Sequence, residues 1–145
     1  MKVDLETGFV DVLDYIAVHD CGPILNPPIV EGQVHGGVAQ EIGGTLYEHF
    51  VYSPEGQPLA TTFMDYLIPS ATEIPHLVVE HFESPSPNMP LGLKGAGEGG
   101  CLGPPAALSN AVCEALKEFG VDITQLPLTP AVVLEKIRAG RRGDG

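Results

Sequence analysis

The chain has 145 residues, with 19 Asp and Glu against 7 Lys and Arg and a net charge of −12. So acidic a balance excludes a nucleic-acid binder or a protein held on an anionic membrane surface, and no apolar run is long enough to span a bilayer. Ordinary apolar content with 18 Gly and 14 Pro argues for one globular domain, or part of one, with long shaped loops.

In chain order, Glu6-Thr7-Gly8 reads as a hairpin turn and Phe9 to Val18 as an apolar strand, buried on at least one face and over much of both. The strand ends in His19-Asp20-Cys21. All three are metal-ligating types, but neighbours at a strand end point in different directions. No metal site is assigned; a polar strand end packed near a ligand is the expectation. Cys21, Cys101 and Cys113 are odd in number and lack CxxC spacing, so no disulfide framework or zinc site is indicated. With no basic-then-apolar leader at the N-terminus, a cytoplasmic location is expected.

Asn26-Pro27-Pro28 is a helix start, with Asn as cap and Pro in the first turn. The helix is expected from about Ile29 to Phe50, with Val30, Val34, Val38, Ile42 and Leu46 forming one apolar row. Gly32, Gly36, Gly37, Gly43 and Gly44 are poor helix formers. This helix therefore either packs very closely against something or ends early and restarts. Gln33, His35 and Gln40 are its polar groups. Glutamine offers a donor and an acceptor, which suits a pterin, a base or an oxo ligand; taken singly, each also reads as a surface residue.

Strands are expected over Leu59 to Ile68, closed by Pro69, and over Leu77 to Phe82, with Asp65-Tyr66 as an exposed polar pair. Glu83 to Asn88 breaks regular structure. Ala106 to Phe119 is the clearest helix, with Ala107, Ala111, Ala115, Leu108, Val112 and Leu116 inward, Cys113 in the core and Gly120 as a stop. A last helix is expected from about Ala131 to Ala139. Residues 1–140 then form one unit, with 141–145 a disordered tail. The fold class is α/β (or α+β): a mixed sheet covered by two or three helices, with the ligand loops at one end.

Between the last expected strand and the helix from Ala106 lies the glycine run Gly92-Leu93-Lys94-Gly95-Ala96-Gly97-Glu98-Gly99-Gly100. It is not polar and lacks the Ser of flexible linkers. Glycine permits close approach of backbone to another group, and Pro104-Pro105 begin a helix whose amide-rich N-terminus attracts anions. One reading is a backbone cradle for an anionic group, with Glu98 as a general base tuned by desolvation. The other is a Gly/Pro turn carrying a solvated Glu. A Walker phosphate loop is excluded, because Lys94 precedes most of the glycines.

Val18-His19-Asp20-Cys21-Gly22-Pro23-Ile24-Leu25-Asn26-Pro27, then Glu31-Gly32-Gln33-Val34-His35-Gly36-Gly37-Val38-Ala39-Gln40, then Pro90 to Gly100, occur in that order. With Thr62-Phe63-Met64-Asp65-Tyr66, Pro104-Pro105-Ala106 and Asn110-Ala111-Val112, they resemble the C-terminal part of the molybdenum-binding large subunit of the xanthine dehydrogenase and aerobic carbon monoxide dehydrogenase family. The resemblance runs from about Val10 to Ile137. It implies that Glu98 is the active-site base, that Lys94, Gly95, Ala96 and Gly97, on the loop presenting it, bind the cofactor, and that Gln33, Gly36, Gly37 and Gln40 line the molybdopterin site. Gly99 and Gly100 match the same loop, and Gly32 the same segment.

The cofactor implied is molybdopterin, in bacteria usually the cytosine dinucleotide, carrying molybdenum. The family hydroxylates a carbon centre or oxidises carbon monoxide with oxygen from water. Electrons leave through 2Fe-2S clusters to FAD, usually on partner subunits. Glu41 follows Gln40 where many relatives have glycine. Family large subunits carry several hundred further residues before this region, so the chain is expected to be a fragment, a split subunit or a truncated product. It would then bind the rest of the large subunit, iron–sulfur and flavin subunits and a small-molecule substrate, and be inactive alone. The alternative is a non-catalytic remnant or assembly module that docks to a partner chain.

Overall fold

The computed structural model describes residues 1–143. A short antiparallel hairpin comes first: β1 (Lys2–Val3) pairs with β2 (Val10–Asp11), Lys2 facing Asp11 and Val3 facing Val10. Asp4 shapes the turn by accepting the Glu6 and Thr7 amides at 2.8 and 2.9 Å. Gly8, at φ 76°, completes it against the start of the last helix, where a Cβ would stand 2.8 Å from the Leu134 nitrogen.

β3 (Asp14–His19) and β4 (His76–His81) form a parallel pair, in register from Asp14 opposite His76 to His19 opposite His81. The expected strand from Phe9 to Val18 is thus broken between β2 and β3. Only one of its faces is covered: Tyr15 and Ala17 pack toward the core, while Ile16 and Val18 are 68% and 69% exposed. Burial on both faces needs a second layer, and among the described residues none lies over Ile16 and Val18. In place of a single mixed sheet there are two two-stranded sheets, one antiparallel and one parallel.

Helix α1 (Pro27–Leu46) starts where Asn26 accepts the Ile29 amide at 3.3 Å. It is continuous for 20 residues, so its glycines do not break it; Gly37 and Gly43 are closely packed, while Gly32 and Gly36 are open. It stops a turn before the expected Phe50. Val34, Val38, Ile42 and Leu46 are buried in the predicted row; Val30, at its start, is half-buried. They meet Leu108, Val112 and Leu116 of α2 (Pro104–Ala115) and its C-terminal extension, Val133 and Ile137 of α3 (Pro130–Gly143), and Val10 and Val12. Of the two inward rows expected on α2, only the larger is inside; Ala107 and Ala115 face solvent and Cys113 is half-buried. One helix flank suffices to meet α1, and the bulkier row removes more apolar area from water. Gly120 is left-handed at φ 62° and ends this region as expected. α3 runs on past Ala139 to Gly143; the rest of the expected tail lies outside the described residues.

No strand forms over Leu59 to Ile68. Thr62 takes over the local backbone: its carbonyl accepts the Asp65 and Tyr66 amides at 3.0 and 2.8 Å, its Oγ1 accepts the Met64 amide at 3.2 Å, and its hydroxyl donates to Asp65 at 2.9 Å. Such side-chain-to-backbone bonds offer an alternative to a sheet ladder. The turn leaves Phe63 and Met64 79% and 87% exposed. Tyr66 donates to Glu48, so the expected exposed pair is divided: Asp65 closes the turn and Tyr66 folds back toward α1.

Candidate functional site

The glycine run sits at the carboxyl ends of β3 and β4 and rests on α1. It has two feet. At the first, the Lys94 amide donates to the Cys21 carbonyl at 3.0 Å and the Ser86 amide donates to the Gly92 carbonyl at 2.9 Å. The Lys94 ammonium pairs with Asp20 at 2.7 Å. Asp20 also accepts the Gly22 amide at 2.8 Å and the Ser84 amide at 3.1 Å. Lys94 and these backbone donors hold the Asp20 carboxyl at about 2, well below the ordinary carboxylate range.

At the second foot, glycine is required by contact. A Cβ on Gly37 would stand 2.9 Å from the Gly100 Cα and 3.0 Å from its carbonyl carbon, so helix and loop backbones touch. Gly99 sits against the His19 imidazole, and a Cβ there would collide with the ring. The loop carbonyls turn inward: Glu98 accepts the Cys101 amide at 3.0 Å and Ala96 accepts the Gly99 amide at 3.4 Å.

Between the feet, residues 95–98 form the crest, and Glu98 is exposed there. Burial, together with the nearby carboxylates of Glu41 and Glu98, pushes the Cys101 thiol up. The desolvation expected around Glu98 is not supplied by this chain. Gln33 reaches the crest: its Oε1 is 3.9 Å from where a Gly97 Cβ would stand. Gln33, Gly36, Gly37 and Gln40 stand at i, i+3, i+4 and i+7, so they share one stripe of α1. Gln33, Gly36 and Gln40 are exposed and Gly37 is covered by the loop. A Cβ added at Gly32, Gly36 or Gly95 would meet nothing within 4 Å. The first turn of α2 adjoins the loop, and its cap, Gly103, supplies no side-chain acceptor. A pocket of about 160 Å³ is lined by Tyr15, His19, Val34, Gly99, Gly100 and Pro104, among others.

The predicted site residues are thus brought together on the loop and one stripe of α1. Lys94 alone turns its charge inside the chain. Sequence reasoning gave His19 and Asp20 no structural task. Asp20, two residues before Gly22, carries the spacing of an Asx turn, which signals its backbone bonds; nothing local signals its pairing with Lys94.

Residues 1–75 match the family model of the molybdopterin cofactor-binding domain. The chain belongs to that family. The molybdopterin-binding fold extends beyond the matched half. Quinoline 2-oxidoreductase from Pseudomonas putida 86 superposes with a TM-score of 0.90 at 45% identity, over 94% of this chain and 17% of that one. CO dehydrogenase from Oligotropha carboxidovorans gives 0.91 at 31% identity, over 97% and 18%. In sequence, the large subunit of nicotine 6-hydroxylase from Paenarthrobacter nicotinovorans is 44% identical over 134 residues, 92% of this chain and 16% of that one. The chain therefore spans about a sixth of the length of such relatives.

Proposed function

We propose that this chain forms one wall of the molybdopterin site of a molybdenum hydroxylase large subunit and supplies Glu98 as its base. The observation that carries this reading is the exposed stripe of α1 beside the loop crest. Gly32 and Gly36 are helical, exposed and free of neighbours, yet glycine in a helix interior costs about 1 kcal/mol relative to Ala. Nothing within the chain offsets that cost. A flat, bulky group lying close on the helix backbone explains it, and Gly95 fits the same approach from the loop.

Gln33 and Gln40 then offer amide donors and acceptors to the pterin. The backbone amides of Gly95, Ala96 and Gly97, with the uncapped first turn of α2, favour its anionic phosphates. The cytosine dinucleotide form suits so extended a stripe. When bound, the molybdenum centre supplies the redox chemistry of hydroxylating a carbon centre, or oxidising CO, with oxygen from water. Glu98 accepts the proton that this chemistry releases. Its position on a crest pinned at both feet holds the carboxylate at a fixed height over the stripe. The rest of the large subunit, closing over the crest, excludes water from it.

Partners of this chain are that remaining portion and subunits carrying 2Fe-2S clusters and FAD. Alone, with Glu98 in solvent, it does not turn over. All three cysteines are free, which suits the reducing cytoplasm; among the described residues, no helix is long and apolar enough to cross a membrane.

The test is purification with native partners, elemental analysis for molybdenum, and Glu98→Gln in the assembly. Molybdenum retained with turnover abolished is the expected result. Wild-type-like turnover in Glu98→Gln would remove the role given to Glu98, and an assembly free of molybdenum and pterin would leave a docking module.

A further inference from the structure

Asp20 gathers three segments that are remote in sequence. One carboxylate oxygen accepts the amides of Gly22, at 2.8 Å, and Ser84, at 3.1 Å. These belong to the chain leaving β3 and the chain leaving β4. The other oxygen takes the Lys94 ammonium at 2.7 Å. The two side chains are 30% and 34% exposed, so the pair is partly shielded from water and screened less than a surface pair. The same foot of the loop also has backbone bonds from Lys94 to Cys21 and from Ser86 to Gly92, and a close backbone contact of Gly22 on Gly92. The second foot is steric, formed by Gly99 on His19 and Gly100 on Gly37. Gly95, just past Lys94, meets nothing within 4 Å. The crest is therefore suspended, and its conformation is set by where its two ends are held.

We propose that Asp20 is a positioning residue: through Lys94 it fixes the first foot of the glycine loop and so sets where Glu98 stands. Lys94 acts on the loop rather than on the cofactor. The catalytic consequence rests on the proposed role of Glu98; the mechanical one does not.

Hydrogen exchange of the whole chain, read by mass spectrometry, tests the mechanical part without cofactor. Asp20→Asn keeps an oxygen for the Gly22 and Ser84 amides but removes the charge opposite Lys94. Lys94→Met removes the other partner and keeps the aliphatic stem. Each is expected to speed exchange of the hydrogen-bonded Lys94 and Cys101 amides by about two- to fivefold, the range of a partly exposed ion pair. Amides of α1 and α2 should be unchanged, the double variant should be no faster than either single, and Lys94→Arg should restore protection. Unchanged loop exchange in Lys94→Met overturns the proposal. So does acceleration spread evenly over the helices, or additivity in the double variant.

In the loaded assembly, Lys94→Met should lower kcat at unchanged KM and full molybdenum content, with recovery in Lys94→Arg. Loss of molybdenum from Lys94→Met would make Lys94 a cofactor ligand and overturn the positioning role. If Glu98→Gln proves active while loop exchange responds as described, the reading of Glu98 fails and the latch stands.

Discussion

Two adjacent glycines of α1 should respond to the same substitution with opposite sign. At Gly36 a Cβ meets nothing within 4 Å, so Gly36→Ala gains helix propensity without a clash. That is worth about 1 kcal/mol, or roughly 2–4 °C in Tm for a chain of this size. At Gly37 the same methyl would stand 2.9 Å from the Gly100 Cα and 3.1 Å from the Cys101 nitrogen. These are backbone atoms and cannot rotate aside, so helix and loop must part. Overpacking of this kind costs about 2–3 kcal/mol. After the gain in propensity, Gly37→Ala should be less stable by about 1–2 kcal/mol. Thermal and urea unfolding of the purified chain measure both. The separation between the variants is expected to be about 2–3 kcal/mol. A Gly37→Ala chain as stable as Gly36→Ala would refute the claimed contact between α1 and the loop. In the assembly the order should invert for the cofactor: Gly36→Ala, although more stable, should hold less molybdopterin.

The core offers a simpler test, since Ile42 is fully buried between the helices: Ile42→Ala should cost about 2–5 kcal/mol by urea denaturation. The raised thiol of Cys101 is due to burial and then to Glu41 and Glu98. Alkylation followed by peptide mass mapping at pH 8 should therefore be slow at Cys101 and faster in both Glu41→Gln and Glu98→Gln. For Asp20 the folded value, about 2, lies below the ordinary 3.8. Its contribution is thus complete above the ordinary value and lost as pH falls toward 2. A carboxyl-carbon NMR titration should show a midpoint near 2, moving up in Lys94→Met.

The helices were legible because their signals are local. Asn26-Pro27-Pro28 sets the start of α1, its four-residue apolar row faces the core, and Gly120 ends the region after α2. Two strand expectations failed for different reasons. Over Leu59 to Ile68 the apolar residues outvoted Thr62 and Asp65, whose paired hydrogen bonds decide the backbone. Over Phe9 to Val18 the apolar pattern runs across the break between β2 and β3, and among the described residues nothing covers Ile16 and Val18, so only one face of β3 is buried. The candidate site was legible as a glycine run and a glutamine-glycine stripe. Its assembly was not, because Asp20 and Lys94 are 74 positions apart, and no spacing rule links them.

The parallel pair β3–β4 has a consequence for handling the chain in solution. Its outer face carries Ile16 and Val18, and neither strand has a further neighbour in its sheet. Open ladder edges and an apolar face together invite pairing with another copy. What opposes this is the net charge of −12, which makes copies repel one another over a Debye length of about 10 Å at 0.1 M salt. At 1 M that range shrinks to about 3 Å. The chain should therefore stay dispersed in dilute buffer and self-associate as salt is added. Its colloidal behaviour is then the reverse of that of a protein held together by surface ion pairs, and light scattering across a salt series would display it.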